Sequence, residues 1–183
     1  MDSEWKAILR FLGISFYALY YTGCFIIIKA SQSTYNIVNI TIIVLPILIV
    51  LIMNYLRKKR QKTTTFKYMK AVLLYSIAPI ICLYLLTVNE YKSIFTTEKW
   101  LEQETERTFM IDNLLKEHPL KGKQKKDIIS LLGQETAKAN FKEKDNMVYL
   151  LGAERGFISM DTEWLIIHFN DENIADKVEV VSS

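Results

Sequence analysis

The chain has 183 residues, half of them hydrophobic, and its 23 basic and 20 acidic side chains leave a formal net charge of +3. That length allows one or two domains. The charge is divided unevenly, because residues 1–90 hold ten basic and three acidic side chains whereas residues 91–183 hold thirteen and seventeen. The positive excess adjoins apolar segments, where the positive-inside bias of membrane proteins explains it, so it does not indicate nucleic-acid binding.

Three long apolar segments follow one another in the first ninety residues. Residues 7–28 contain one charged side chain, Arg10 near their start, and residues 37–56 and 71–88 contain none. Helices of these lengths reach about 27–33 Å, which is enough to cross a hydrocarbon core of about 30 Å. Residues 1–90 are therefore predicted to be a membrane domain of three transmembrane helices that contact the lipid bilayer.

The orientation follows from residues 57–70, between the second and third segments. Seven of these residues are Lys or Arg and none is acidic, whereas residues 29–36 carry a single Lys. Because basic loops stay in the cytoplasm, we predict a multi-pass protein of the cell membrane with its N-terminus inside and everything after Val88 outside. Aromatic residues that suit a membrane interface lie near the predicted span ends: Trp5, Tyr35, Tyr55, Tyr68 and Tyr91.

The two cysteines, Cys24 and Cys82, both lie in apolar segments. Their spacing fits neither a zinc site nor a disulfide framework, and we interpret both as packed, buried residues. An alternative applies to Cys24, because Thr22 and Gly23 before it resemble the end of a lipoprotein signal peptide. Either interpretation leaves the C-terminal half outside the cell.

The interiors of the predicted spans lack the acidic, basic and histidine side chains that mark ion or proton paths. Their polar residues are typical of helix–helix contacts: Asn39, Thr41, Asn54 and Ser76. Pro46 and Pro79 are expected to kink their helices. Transport by these three helices alone is not predicted, but a role in a larger membrane complex stays open.

Residues 91–183 are predicted to fold as an extracytoplasmic domain that begins with two helices. The first covers residues 96–118, with Thr97 as its N-cap, and ends before Pro119 because proline disfavours helical geometry in the preceding residue. Its glutamates are interpreted as a solvated face: Glu102, Glu104 and Glu106. The second helix covers residues 124–132 and is closed by Gly133. Its buried side is Ile128, Leu131 and Leu132, and its neighbouring lysines are interpreted as solvated: Lys123, Lys125 and Lys126.

A period-two pattern then predicts strands at residues 146–151, 163–169 and 177–181. Residues 156–160 are a candidate fourth strand, residues 137–141 are either a loop or an edge strand, and residues 170–173 predict a hairpin turn. The fold class is therefore membrane all-α plus a small α+β domain, in which two helices pack on a three- to four-stranded antiparallel sheet.

The packing residues of this domain resemble those of the SmpA/OmlA-type (BamE-like) envelope lipoproteins, whose fold is shared with the β-lactamase inhibitor protein. The resemblance covers residues 97–181 and rests on one series: Arg107, Met110, Leu114, Leu115, Leu120, Gly122, Ile128, Leu131, Leu132, Gly133, Tyr149, Leu151, Gly152, Leu165, Ile167 and Phe169. It implies protein binding without catalysis. The sequence departs from that family at positions 123–124 and 134–135.

No motif predicts an active site, a metal site or a bound cofactor. A serine–histidine–aspartate set could be drawn only from Ser130 or Ser159, His168 and Asp161, and no nucleophile elbow fixes their geometry. His168 alternates with Ile167 and Phe169, so we expect it to face solvent. Paired carboxylates could come from Glu154, Asp161 and Glu163, but such sites need a cleft.

The segment of residues 151–164 is the predicted working surface. It brings together Arg155, Phe157, Asp161 and Trp164, and aromatic and Arg side chains anchor interfaces disproportionately. In the alternative interpretation Phe157 and Trp164 belong to the core, and Arg155 and Asp161 form a structural ion pair. No small-molecule substrate is evident.

The function predicted first is a non-catalytic module that binds another protein of a bacterial envelope. The alternatives are an immunity or resistance protein against a secreted toxin, and an accessory subunit of a transporter or signalling complex. A composition rich in Lys, Ile and Asn suggests a Gram-positive-type cell.

Overall fold

The computed structural model describes residues 2–61, 65–137, 139–158 and 160–183. They form two compact units, Met1–Val88 and Asn89–Ser183. The helices are α1 Asp2–Ala30, α2 Ile37–Gln61, α3 Thr65–Ser93, α4 Thr97–Glu102, α5 Arg107–Glu117 and α6 Lys125–Leu132. The strands are β1 Asn146–Ala153, β2 Thr162–Phe169 and β3 Ala175–Ser182.

The N-terminal unit consists of the three predicted apolar helices. Three stretches are long and apolar enough to cross a membrane: Glu4–Ala30, Ile37–Leu56 and Tyr68–Ser93. Their large apolar side chains are mostly exposed along the whole length of each helix, which is typical of helices surrounded by lipid. Within the basic stretch 57–70, residues 62–64 lie outside the described residues.

Pro46 lies inside helix α2 and changes its hydrogen bonding. Since proline has no backbone N–H, the carbonyl of Ile42 loses the donor that a regular helix would supply. The Tyr20 hydroxyl of α1 donates to this carbonyl at 2.7 Å, and the neighbouring Tyr21 donates to the carbonyl of Ile43 at 2.6 Å. Two hydroxyls of α1 therefore bind consecutive carbonyls of α2 beside Pro46, and the first of these carbonyls has no helical donor.

Pro79 has the same effect in helix α3, where it leaves the carbonyl of Tyr75 without a helical donor. The Tyr17 hydroxyl of α1 donates to that carbonyl at 2.5 Å. Cys24 and Cys82 lie buried in the cluster beside these tyrosines, both with free thiols, as predicted. Helix α1 thus joins α2 and α3 through carbonyls that an apolar solvent could not satisfy.

The C-terminal unit is built on an antiparallel sheet with strand order β1-β2-β3. One face, here called the inner face, carries Met147, Tyr149, Leu165 and Ile167, which are fully or almost fully buried against α4, α5 and α6. The predicted fold class was short by one helix, because the segment predicted as one helix forms two. The described residues contain a three-stranded sheet, at the lower end of the predicted range.

The outer face of the same sheet has an apolar cluster of its own. Val148, Trp164 and Ile166 are buried there beneath Phe141 and Ala139 of the preceding loop. Strand β1 is consequently buried on both faces over most of its length. A sheet covered on both faces does not show the strict alternation that we used to predict its strands.

The prediction of one helix over residues 96–118 was wrong. In a continuous helix the carbonyl of Trp100 would accept the N–H of Glu104; here it accepts Nε of the buried Arg107 at 2.8 Å. Glu106 forms an isolated bridge to Gly152 of β1. The helix is therefore divided at residues 103–106 by contacts to a distant strand, and the three glutamates do not share one helical face.

Other boundaries shift slightly. Thr96, not Thr97, caps α4, since its backbone is extended and its hydroxyl accepts the N–H of Lys99 at 3.2 Å. Gly133 closes α6 with φ 76°, as predicted. The hairpin turn at residues 170–173 is confirmed, with Asn170 Oδ1 accepting two backbone N–H groups.

Two predicted strand candidates are not strands in the described residues. Residues 156–158 and 160 form bends and coil, so the fourth strand was wrong there. The described part of residues 137–141 is a loop, which is one of the two predicted outcomes. Residues 138 and 159 lie outside the described residues.

Candidate functional site

The predicted working surface, residues 151–164, contains the ends of β1 and β2 and the loop of residues 154–161 between them, here called the β1–β2 loop. The strands pair as far as Ala153 and Thr162, and the Glu154 N–H then donates to the Asp161 carbonyl at 2.9 Å. The two ends of the loop are therefore held together by backbone hydrogen bonds, and the loop rises from an ordered base.

Arg155 fixes the base of this loop from within. Its backbone N–H and its Nε both donate to Oε1 of the buried Glu163, each at 3.1 Å, and its Nη1 donates to Oδ2 of Asp112 on α5 at 2.9 Å. Burial opposes the charged guanidinium, but the hydrogen bonds and charges of Glu163 and Asp112 outweigh it and raise the pKa of Arg155. One cation thus ties the loop to β2 and α5.

Glu163 depends on this single cation. Its Oε1 accepts both bonds from Arg155, and its Oε2 is buried without a hydrogen-bond partner among the described residues. Burying a carboxylate is costly unless it is paired. Removing the Arg155 guanidinium would leave an uncompensated charge beneath the loop.

The tip of the loop is apolar and exposed. Phe157, Ile158 and Met160 have 74%, 76% and 83% of their surface accessible. Among the described residues of the unit Asn89–Ser183, these are the three most exposed large apolar side chains. Large apolar groups grouped at a surface mark sites of association in soluble domains.

The structure separates the four predicted residues. Phe157 lies at the exposed tip and Arg155 at the base, while the exposed Asp161 contributes its backbone carbonyl to the closure of the loop. Trp164 is only 8% exposed and its Nε1 donates to Ser183 Oγ at 3.2 Å, so it is a packing residue of the outer face. The alternative interpretation is correct for Trp164 but wrong for Phe157, and Arg155 pairs with Glu163 and Asp112 instead of Asp161.

Ile158 and Met160 are not among the site residues predicted from the sequence. Their signal was present, since three bulky apolar residues follow Gly156 within four positions. A fourth strand would have buried one side of this segment. Because the segment is a loop, all three side chains reach solvent.

The histidines occupy structural positions. His168 is half-buried on the outer face, with Nε2 2.9 Å from Glu179 Oε1, so the prediction that it faces solvent was wrong in part. His118 packs its ring against Phe95. Asp161 precedes β2 and His168 lies near its far end, about 20 Å away along an extended strand. They cannot share a catalytic set with Ser130, and Ser159 lies outside the described residues.

Among the described residues, no group of three or more His, Cys, Asp or Glu side chains could hold a metal ion. The chain matches no family model, no curated protein and no solved structure. The resemblance to the BamE-like domains therefore stays a prediction. What the β1–β2 loop offers chemically is an apolar contact surface on a fixed base.

Proposed function

We propose that this protein is a multi-pass membrane protein whose C-terminal domain, outside the cytoplasm, binds another protein of the bacterial envelope. The contact is made by the tip of the β1–β2 loop, and no catalytic step is involved. The observation that carries the proposal is the exposure of Phe157, Ile158 and Met160 above a base that Arg155 holds in place.

The orientation is supported by the distribution of charge around the three apolar helices. The connection between α2 and α3 lies within the basic stretch 57–70, whereas the connection between α1 and α2, residues 31–36, has no charged residue and is preceded by a single lysine near the end of α1, Lys29. The positive-inside rule places the former in the cytoplasm. The N-terminus then lies inside and the unit Asn89–Ser183 outside.

Protein binding is supported by the chemistry of the tip. Aromatic and methionine side chains are enriched in interface cores, and a few central anchors supply most of the binding energy. An exposed apolar tip lowers the solubility of a domain that has no partner. The hydrogen bonds of Arg155 already order the base of the loop, so binding would have to order less of the chain. The BamE-like resemblance also implies protein binding.

The binding proposal is tested by photo-crosslinking in intact cells. A photoreactive phenylalanine analogue in place of Phe157 is expected to give a discrete crosslinked product, and the same analogue at the exposed Lys116 on α5 is not. Exchanging Ile158 and Met160 for serine should abolish the product. Equal products at both positions, or none at Phe157, would contradict a binding tip.

The orientation is tested separately with protease. Added to intact cells whose wall has been removed, protease should release fragments of the unit Asn89–Ser183 and leave the basic stretch 57–70 protected. Digestion of this unit only in inside-out vesicles would reverse the topology.

A further inference from the structure

A cavity lies within the N-terminal unit, between its three helices. It is a cleft of about 500 Å³, and it is lined by Lys6, Leu9, Arg10, Gly13, Ile14, Tyr17, Val50, Met53, Asn54 and Tyr75. The α1 residues recur at spacings of three and four, so one side of α1 forms a wall of the cleft. The other walls come from the C-terminal half of α2 and the N-terminal half of α3.

The polarity of the lining changes along the cleft. Lys6 and Arg10 lie at one end on consecutive turns of α1, and the lining residues that the structure describes include no acidic side chain. Beyond Arg10 the α1 wall carries Gly13, Ile14 and Tyr17, and α2 adds the apolar Val50 and Met53 beside Asn54. A cleft with two cations at one end and mainly apolar side chains beyond them suits an amphiphile that has an anionic head group and a hydrocarbon chain.

The length of the cleft matches one leaflet of a bilayer. From Lys6 to Tyr17 the α1 axis rises by about 16 Å, and half of a hydrocarbon core measures about 15 Å. Both cations belong to the end of α1 that the charge distribution assigns to the cytoplasm. The head group would therefore lie at the inner membrane surface, with one acyl chain beyond Arg10 along Ile14.

Gly13 keeps the middle of this wall open. A Cβ added at Gly13 would meet no other atom within 4 Å, so a larger side chain there would extend into the cleft without a clash in the helix bundle. Gly23 is equally open but does not line the cleft. The two glycines lie on the same helix and form a matched pair for substitution.

We propose that this cleft binds one anionic phospholipid of the inner leaflet, with its phosphate between Lys6 and Arg10. The site is distinct from the β1–β2 loop and rests on the membrane placement proposed above. A free phosphate ion would use only the two cations, whereas the apolar wall requires an acyl chain.

Native mass spectrometry of the full chain, released from detergent micelles with equal amounts of phosphatidylglycerol and phosphatidylcholine, tests this. The wild-type chain is expected to retain one phosphatidylglycerol. Gly13→Leu should lose most of it and Gly23→Leu should not. The double variant Lys6→Gln/Arg10→Gln should lower the preference for the anionic lipid by about tenfold, whereas Lys59→Gln/Lys70→Gln, outside the cleft, should keep it.

Several outcomes would overturn the proposal: equal retention by Gly13→Leu and Gly23→Leu, no preference between the two lipids in the wild type, or displacement of the lipid by inorganic phosphate. Circular dichroism of each variant separates loss of lipid from loss of helix. A chain that stays soluble without detergent and binds neither lipid would instead contradict the membrane placement itself.

Discussion

Both units join separate elements through a long polar side chain that reaches a backbone carbonyl, but they use different groups. In the N-terminal unit the hydroxyls of Tyr17 and Tyr20 donate to the carbonyls of Tyr75 and Ile42. In the C-terminal unit the guanidinium of Arg107 performs the equivalent task.

Arg107 donates to the carbonyls of Trp100 and Leu150 at 2.8 and 3.1 Å, and so joins α4 to β1. Burial lowers the pKa of this guanidinium, while Glu104, at 3.6 Å, opposes the shift. A buried cation needs such charge compensation, and a domain in water can supply it at its surface. A neutral hydroxyl needs none, which suits helices surrounded by apolar solvent.

The largest effect is expected where the C-terminal unit brings two backbones together. Gly152 has φ 129°, and a Cβ there would lie 2.1 Å from the Thr105 carbonyl oxygen. Gly152→Ala should lower the free energy of unfolding of this unit by about 3 kcal/mol or more, because both strain and overlap arise. Hydrogen exchange of the sheet amides in the full chain measures it.

Gly122 is the matched control for that substitution. It also has a positive φ of 84°, but a Cβ there meets nothing within 4 Å. Gly122→Ala should cost about 1 kcal/mol from backbone strain alone. Equal effects of the two substitutions would mean that the contact of Gly152 with Thr105 does not hold the divided helix to β1.

The next largest loss of stability is expected at Arg155, which holds the base of the β1–β2 loop. Arg155→Ala should destabilise the C-terminal unit by about 3 kcal/mol, since it leaves the buried Glu163 unpaired. Asp112→Ala removes only an exposed partner of the same guanidinium, so it should cost less than about 1 kcal/mol. The same hydrogen-exchange measurement applies, and a larger effect of Asp112→Ala would reverse the assigned roles.

In the N-terminal unit the expected effects are smaller. Tyr20→Phe should weaken the helix bundle by about 1 kcal/mol, the usual size of a hydrogen bond between membrane helices. Pro46→Ala restores an N–H for the Ile42 carbonyl, so in that background Tyr20→Phe should cost clearly less. Unfolding of the full chain in mixed micelles measures this double-mutant cycle. Strictly additive effects would show that Tyr20 does not compensate for Pro46.

The smallest effect concerns pH. Hydrogen bonds from Lys177 and then His168 lower the pKa of Glu179 on the outer face of the sheet. A carboxyl whose pKa is lowered by folding adds stability above its unfolded pKa and loses it as the pH falls through the folded value. The difference in stability between wild type and Glu179→Gln should therefore be present at neutral pH and disappear below the ordinary range of a glutamate. A difference that persists in acid would exclude this linkage.

Local patterns in the sequence were sufficient for much of this fold. The three apolar segments became α1, α2 and α3, because unbroken apolar runs of that length have few other conformations. Gly133 and Asn170 were predictable since a positive φ at a helix end and an Asx turn are properties of single residues. The Arg and aromatic content of residues 151–164 predicted a working surface there, and that function stays a prediction.

The predictions that were wrong concerned contacts between residues that are far apart in the chain. Nothing near Arg107 reveals that it binds Leu150, forty-three positions away, and divides the predicted helix. Trp164 was predicted to belong to the working surface, but it is buried in a cluster with Val148 and Phe141. The prolines were expected to kink their helices. That the Tyr17 and Tyr20 hydroxyls donate to the carbonyls left without a helical donor by Pro79 and Pro46 could not be predicted, because it depends on how α1 packs against α2 and α3.

The sequence by itself thus determined which segments are apolar helices, where the strands run and how charge is divided between the halves, since each depends on neighbours within a few positions. Only the tertiary structure decided which polar groups meet: a hydroxyl with a carbonyl left by proline, or Arg155 with Glu163. It also decided that Phe157, Ile158 and Met160 stay exposed while Trp164 is buried. Burial and pairing are properties of surfaces brought together by folding, and sequence separation does not encode them.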